Sequence, residues 1–232
     1  MTNEKRYQAI CEMLYSYDAA TGNGGAQHVI RNPHEWTECK WQPFYANAAQ
    51  MILDIKYQMD AKKNNSGSLA ALKRICKCCM KGMEGLRGVV ETIDETGEKR
   101  FVLCDGHRII RVKEDPTSLP HVDTEKAFSS EKINNFMNVN RYGDAAELPT
   151  VPELKTYIAE KKAVYGKEKI FYGIAGKTFV DAQYLLDMLQ ALPDCKVIIP
   201  EKSTDPIYVV SDDGDGLLLP VRASEDVKKR AA

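Results

Sequence analysis

The sequence has no long apolar stretch and no large excess of either charge. No run approaches the ~20 consecutive apolar residues that a transmembrane helix requires, so we expect no membrane span. The first six residues are polar and no apolar run follows them, which predicts the absence of a secretory signal peptide. The formal net charge is -1. The whole molecule is therefore not a polycation, and any nucleic-acid surface must be local.

The cysteines form no regular framework. They are odd in number and irregularly spaced, at Cys11, Cys39, Cys76, Cys78, Cys79, Cys104 and Cys195. Without a signal peptide, this pattern predicts free thiols in a reducing, cytoplasmic compartment. Cys76 and Cys79 could hold one metal ion together, but a structural zinc site needs four ligands and no second pair has the right spacing. We favour their burial as small apolar side chains, and we predict neither a metal nor a cofactor.

Recognisable catalytic motifs are also lacking. The sequence shows no nucleophile motif, phosphate-binding loop or pair of carboxylates at a useful spacing. Asp105 and His107 lie close together, but an Asp-Gly turn explains the aspartate better than acid–base chemistry does. The glycine-rich residues 21–25 follow a predicted helix rather than a strand, which argues against a nucleotide loop. We predict no catalytic residue and no enzyme; an enzyme with an unrecognised site is the weakest alternative.

The pattern of apolar residues divides the chain into a helical part and a mixed part. Helical spacing in residues 4–17 and 45–59 predicts two helices, and a polar stretch after them predicts a linker. We assign residues 1–66 to a mainly helical N-terminal unit with its linker. Residues 67–223 form a predicted α+β domain, and the polar residues 224–232 a flexible tail.

Within the α+β domain, a helix combined with short strands occurs twice. Asp105-Gly106 separates two apolar runs, which is typical of a β-hairpin. Thr150 and Glu153 predict a capping box, and Asp181 predicts a helix cap. The predicted helices span residues 68–83, 124–138, 152–165 and 181–192. The predicted strands span residues 86–93, 100–104, 107–112, 169–174, 177–180, 196–199, 207–210 and 217–221. This pattern predicts helices packed on antiparallel strands.

Two segments resemble one known family. Residues 104–109 read Cys-Asp-Gly-His-Arg-Ile, between two predicted strands. Residues 179–192 read Phe-Val-Asp-Ala-Gln-Tyr-Leu-Leu-Asp-Met-Leu-Gln-Ala-Leu, and a strand, an acidic turn and Leu-Pro-Val-Arg at 219–222 follow them. In this order and spacing, the segments resemble the bacterial DNA polymerase sliding clamp, the polymerase III beta subunit. The dense matches cover residues 86–113 and 179–222.

The resemblance implies a DNA-clamp-like fold of paired helix-plus-antiparallel-strand units. In the family such units close into a ring around duplex DNA, and partner proteins of replication or repair dock short peptides into a hydrophobic groove. The resemblance therefore implies a processivity factor, with duplex DNA and such proteins as partners, and it allows a homo-oligomer. The implied groove residues are Gly106, His107, Arg108, Ile109, Leu219, Pro220, Val221 and Arg222. The competing interpretation is a hairpin turn beside an edge strand that Pro220 blunts.

A basic face on the first helix of the domain is the candidate DNA surface. Residues 67–113 carry ten Lys or Arg against six Asp or Glu, a net +4. The cations at helical spacing are Lys73, Arg74, Lys77 and Lys81. Such a face suits contact with phosphates, although a solvated face is the alternative. The last helix argues against DNA, because its polar face of Gln183, Asp187 and Gln190 has no cation.

Two functional hypotheses follow from these observations. The first is a shortened clamp-like protein that binds duplex DNA, replication partners, or both. The second is a protein-interaction module without DNA binding, built on the same fold and using its helical N-terminal unit for docking. The near-neutral charge favours the second, and the basic helix favours the first.

Overall fold

The computed structural model describes residues 1–63, 66–78, 87–122, 129–139 and 141–231. The chain divides into two compact units. The first comprises Met1–Ser66 together with Pro116–Pro120, and the second comprises Gly67–Asp115 and His121–Ala232. None of the helices in the described part of the chain combines the length and the apolar character that a membrane crossing requires.

The first unit is a cluster of helices. They are α1 (Asn3–Thr21), α2 (Ala26–Arg31) and α3 (Pro43–Lys63), with a 3-10 turn at Pro33–Glu35. The Thr2 side chain caps α1 by accepting a hydrogen bond from the Lys5 backbone N–H. The fully buried core residues are Leu14, Ala26, Val29, Ala49 and Ile52. The predicted helices α1 and α3 are confirmed. Helix α2 was not predicted, because six residues are too few to show a helical period.

A buried carboxylate holds Pro116–Pro120 in the first unit. Asp60 is 1% exposed. Its Oδ2 accepts a hydrogen bond from the Ser118 backbone N–H at 2.5 Å, and its Oδ1 accepts one from Thr117 Oγ1 at 2.9 Å. His34 Nε2 lies 3.1 Å from the Ser118 carbonyl oxygen. The predicted boundary at residue 66 misses this segment, because periodicity reports only on neighbours along the chain.

The second unit is built on one antiparallel sheet of seven described strands. These strands are β1 (Val90–Ile93), β2 (Lys99–Cys104), β3 (Arg108–Val112), β4 (Asp144–Ala146), β7 (Lys196–Ile199), β8 (Ile207–Ser211) and β9 (Gly214–Leu218). Their spatial order is β1-β2-β3-β9-β8-β7-β4. A separate hairpin contains β5 (Phe171–Ile174) and β6 (Thr178–Asp181). The strands predicted within residues 86–112 and those predicted within residues 169–221 therefore meet at the β3–β9 pair. The predicted α+β architecture is confirmed.

Five described helices belong to the second unit, and two of them pack on opposite faces of the sheet. The five helices are α4 (Ser66–Lys77), α5 (Ser130–Val139), α6 (Val151–Tyr165), α7 (Ala182–Ala191) and α8 (Glu225–Ala231). Ile133 and Met137 of α5 pack in one cluster with Val102 and Leu217 of the sheet. Helix α7 packs on the opposite face at Gly216, where an added Cβ would lie 2.5 Å from Met188 Cε. The same Cβ would lie 2.7 Å from the Ile109 carbonyl oxygen of β3, a backbone atom that cannot move aside as the end of a side chain can, so this position favours glycine.

Local sequence signals place several elements correctly. The capping box of Thr150 and Glu153 and the Asp181 cap of α7 are both present. The β2–β3 hairpin is confirmed, but Gly106 and His107 are its central residues, and only Gly106 has a positive φ, of 89°. Strand β9 ends at Leu218 rather than at residue 221. Pro220 lacks the N–H that a longer ladder would need.

The C-terminal segment differs from the flexible tail expected for residues 224–232. Residues Glu225–Ala231 form helix α8, which contacts β5 and β6. Val227 is buried, and Tyr157 donates a hydrogen bond to the Ala231 carbonyl oxygen at 3.0 Å. Arg230 forms an ion pair with Glu168 at 2.6 Å. The composition of this segment is polar, so its single buried valine gave no periodic signal.

We expect Asp60→Ala to destabilise the first unit by about 1–3 kcal/mol, because it leaves the buried Ser118 N–H without its acceptor and removes the hydrogen bond from the Thr117 hydroxyl. Urea unfolding followed by circular dichroism measures this loss. Asp54→Ala removes an exposed carboxylate from the same helix and should change stability by less than about 0.5 kcal/mol. Equal stability of the two variants would contradict the structural role of Asp60.

Candidate functional site

An apolar groove of about 360 Å³ opens on the α5 side of the second unit. Three structural elements form its walls: the β2–β3 hairpin, the end of β9 and helix α5. The lining residues are Cys104, Gly106, His107, Arg108, Ile109, Lys132, Ile133, Phe136, Leu217 and Leu219. Phe136 is 40% exposed and Leu219 is 39% exposed. Two large apolar side chains of the lining are therefore partly exposed.

The hairpin wall is held rigidly by Asp105. Its Oδ1 accepts hydrogen bonds from the backbone N–H groups of His107 and Arg108, at 2.9 and 2.8 Å. The Asp105 N–H in turn donates to the Arg108 carbonyl oxygen at 3.2 Å. These bonds satisfy the backbone of the loop within itself. These bonds fix the turn that places Gly106 and His107 at the groove.

The second wall lies where the chain leaves the large sheet. The Leu219 N–H donates to the His107 carbonyl oxygen at 2.9 Å, which extends the β3–β9 contact by one bond. Two residues later, the Val221 N–H donates to the Phe179 carbonyl oxygen at 2.8 Å, on strand β6. The chain therefore crosses from the sheet to the β5–β6 hairpin over Pro220. Its two ends are fixed by backbone hydrogen bonds on either side of the proline.

Helix α5 supplies the third wall and is tied to the edge of the sheet. Ser130 Oγ accepts a hydrogen bond from the Ile93 N–H at 3.2 Å, and Asn134 Nδ2 donates to the Ile93 carbonyl oxygen at 2.8 Å. The carbonyl oxygen of the Asn134 side chain accepts from Arg111 Nη1 at 2.9 Å. These bonds occupy backbone groups of the edge strand β1. They also set the position of Ile133 and Phe136 over the groove.

A buried polar cluster lies under α5. Arg111 of β3 makes a two-pronged ion pair with Asp215 of β9, with N–O distances of 2.7 and 2.6 Å. The Tyr208 hydroxyl donates to Asp215 Oδ2 at 2.8 Å. Burial raises the pKa of Tyr208 to about 12, and the charge of Asp215 and the hydrogen bond to it act in the same direction.

On the α7 side, the side chain of Arg108 is fully buried. It pairs with Asp105 at 2.6 Å and with Asp187 of α7 at 2.7 Å. Its guanidinium carbon lies 4.2 Å from the centre of the Tyr184 ring. Although burial lowers the pKa of Arg108, the two carboxylates raise it above its ordinary value. The arginine that the resemblance assigns to the groove is thus a structural cation.

The structure brings together five of the eight residues implied for the groove. Gly106, His107, Arg108, Ile109 and Leu219 line one cavity, although the two segments lie over a hundred residues apart in the sequence. Its lining does not include Pro220, Val221 or Arg222. The sequence interpretation missed Cys104, Leu217 and the residues of α5. The helical spacing of Ile133, Phe136 and Met137 was visible, but nothing in it indicates which strands the helix covers.

The candidate DNA face on α4 is partly engaged within the second unit. Lys73 and Lys77 are exposed on α4, whereas Arg74 forms an ion pair with Asp187 at 2.7 Å and donates to Gln190 Oε1 at 2.6 Å. Lys81 lies outside the described residues. Arg74 therefore contacts the polar face of α7, which has no cation of its own.

The structure describes two of the three residues of the cysteine cluster. Cys76 is buried and Cys78 is exposed, whereas Cys79 lies outside the described residues. The described part of the chain holds no group of three or more His, Cys, Asp or Glu side chains that could bind a metal ion.

Comparison with known proteins finds similarity only among solved structures. No protein-family model and no curated protein matches the sequence. The structure is similar to a DNA polymerase III beta subunit from Eubacterium rectale, with a TM-score of 0.47, 13% identity, and coverage of 69% of this chain and 64% of that chain. It is also similar to the Helicobacter pylori beta clamp bound to a DNA ligase peptide, with a TM-score of 0.46, 12% identity, and coverage of 66% and 63%.

A third similar structure is the DNA polymerase III beta subunit of Thermotoga maritima, with a TM-score of 0.37 and 12% identity over 68% of this chain and 65% of that chain. This chain thus spans less than two thirds of the length of each of these proteins. They are members of the family that the sequence resembles.

We expect Tyr208→Phe to weaken the alkaline dependence of stability. The folded-state pKa of Tyr208 is raised from 10 to about 12, so its stabilising contribution is complete below pH 10 and is lost as the pH rises through 12. The variant lacks this ionisation, so its thermal midpoint should fall less steeply above pH 10. Tyr142→Phe, at a tyrosine that is 80% exposed, is the control and should follow the wild type. Parallel curves for Tyr208→Phe and the wild type would contradict the assignment.

Proposed function

We propose that this chain is a sliding-clamp-like protein that binds partner proteins through a short peptide seated in the apolar groove. One observation supports this proposal. The two segments that resemble the family's groove, residues 106–109 and 219–222, meet through the bond between Leu219 and His107, and both contribute to one cavity. Nothing in the local sequence requires two such distant segments to meet.

The chemistry of the groove suits a peptide with large apolar side chains. Its exposed apolar groups are Phe136 and Leu219, above a floor that includes Ile109, Ile133 and Leu217. Burial of apolar area contributes about 25 cal/mol per Å², so one leucine and one aromatic residue supply a few kcal/mol before the costs of association. Binding is therefore expected to be micromolar at best.

The test is a titration with a DNA ligase peptide of the kind bound to the Helicobacter pylori clamp. Phe136→Ala and Leu219→Ala should each raise the dissociation constant about fivefold or more, because they remove the exposed anchors of the groove. Fluorescence anisotropy of a labelled peptide measures this change. Val164→Ala is the matched control, since Val164 is an apolar residue of α6 that is 74% exposed.

The proposal fails if no peptide containing a leucine and an aromatic residue binds the wild type at up to millimolar concentration. It also fails if the peptide binds but neither Phe136→Ala nor Leu219→Ala weakens it relative to Val164→Ala.

Contact with duplex DNA is a second candidate function, favoured by the exposed Lys73 and Lys77 of α4. These two lysines lie one turn apart, and Ser66–Lys77 contains no acidic residue. Arg74 pairs with Asp187 and therefore contributes less to such a contact than the sequence suggested. A contact by two lysines would be weak and sensitive to salt.

The double variant Lys73→Glu, Lys77→Glu should abolish low-salt retention on a DNA column without lowering the thermal midpoint by more than a few degrees, since both residues are exposed. The control Lys155→Glu, Lys162→Glu makes the same charge change on one flank of α6. If both double variants are retained like the wild type, the DNA role of α4 is excluded. Peptide binding without DNA retention would then identify a protein-interaction module on a clamp-like fold.

A further inference from the structure

One carboxylate of α7 links the groove to the neighbouring helix α4. Asp187 is 2% exposed. Its Oδ2 accepts a hydrogen bond from Arg108 Nη1 at 2.7 Å, and its Oδ1 accepts one from Arg74 Nε at 2.7 Å. Gln183 Nε2 also lies 3.3 Å from Oδ1. Asp187 is thus shared between an arginine of the hairpin and an arginine of α4.

The hairpin arginine transmits this contact to the groove. The Nε and Nη2 atoms of Arg108 donate to Asp105 Oδ2 at 2.9 and 2.6 Å. The other oxygen of Asp105 holds the backbone N–H groups of His107 and Arg108. The path from α7 to the loop at residues 105–108 therefore consists entirely of charge-assisted hydrogen bonds.

Two of the three walls of the groove depend on that loop. Gly106 and His107 line the cavity directly. The His107 carbonyl oxygen accepts the hydrogen bond that fixes Leu219. A displacement of the loop would therefore change the hairpin wall and the β9 wall together, although Asp187 itself does not line the groove.

Arg74 completes the charge balance of this cluster. Two carboxylates and two guanidinium groups make the cluster neutral, whereas loss of Arg74 leaves one uncompensated negative charge next to Arg108. The side chain of Arg74 is 42% exposed and is not part of the groove lining. It can therefore be changed without touching a bound peptide.

We propose that Asp187, supported by Arg74, is a positioning residue that sets the shape of the groove through Arg108. The affinity for a peptide then depends on residues that the peptide does not contact. This inference rests on the proposed peptide-binding function for the affinity, but its effect on the loop does not, and the two are measured separately.

The experiment compares Asp187→Asn and Arg74→Gln with two controls in the full-length protein. Leu154→Ala is a destabilising change in the buried core of α6, and Lys155→Gln removes one exposed charge from the same helix. A two-dimensional amide NMR spectrum without peptide reports on Gly106, His107 and Leu219. The peptide titration described above reports on affinity, at a temperature where every variant is folded by circular dichroism.

We expect Asp187→Asn and Arg74→Gln to shift the amide signals of Gly106, His107 and Leu219, and the two controls to leave them unchanged. The dissociation constant for the peptide should rise about fivefold in Asp187→Asn and about twofold in Arg74→Gln. These changes are modest because both residues act on the groove only through Arg108. Leu154→Ala should lower the thermal midpoint without changing affinity. A purely structural role for Asp187 would give the same pattern as Leu154→Ala.

The inference is overturned if the amide signals of the loop stay in place in Arg74→Gln and in folded Asp187→Asn. It is also overturned if the signals move but the affinity stays within the range of the controls. If Asp187→Asn does not fold, Arg74→Gln decides alone. If the wild type binds no peptide, the proposed function fails, and the amide signals still show whether Asp187 positions the loop.

Discussion

The second unit depends on one buried cation, the guanidinium of Arg108. It has no exposed surface and is neutralised by Asp105 within its own hairpin and by Asp187 on α7. A charge in the interior is tolerated only when it is paired and its hydrogen bonds are satisfied, so this arginine allows one arrangement of hairpin and helix. The position of the hairpin relative to α7 follows from that constraint, and one wall of the groove follows from the position of the hairpin.

The two faces of the sheet have separate roles because successive residues of a strand point in opposite directions. On β3, Arg108 reaches the α7 side, whereas Ile109 lines the groove on the α5 side. The groove itself lies where β9 ends and the chain crosses to the β5–β6 hairpin. Pro220 stops the ladder at that point, and the flanking bonds of Leu219 and Val221 hold the crossing in place.

Of the two functions proposed above, the distribution of charge is more consistent with a protein partner than with DNA. The basic excess of residues 67–113 suggested a nucleic-acid surface. Three of its arginines, however, form ion pairs with carboxylates within the second unit. Arg74 and Arg108 share Asp187, and Arg111 pairs with Asp215. Cations held by buried carboxylates are poor donors to phosphate, because their charge is already compensated.

The sequence by itself determined those features that depend on near neighbours. Helical periods, the capping box at Thr150, the Asp181 cap and the β2–β3 hairpin all follow from spacing within a few residues. Only the tertiary structure decided which strands meet at β3–β9, that α5 closes the groove, that Pro116–Pro120 belongs to the first unit and that Glu225–Ala231 docks as a helix. Those outcomes rest on hydrogen bonds and ion pairs between residues far apart in the sequence, such as Arg111 and Asp215. Local propensity cannot predict such pairs, because the two residues interact only after the chain has folded.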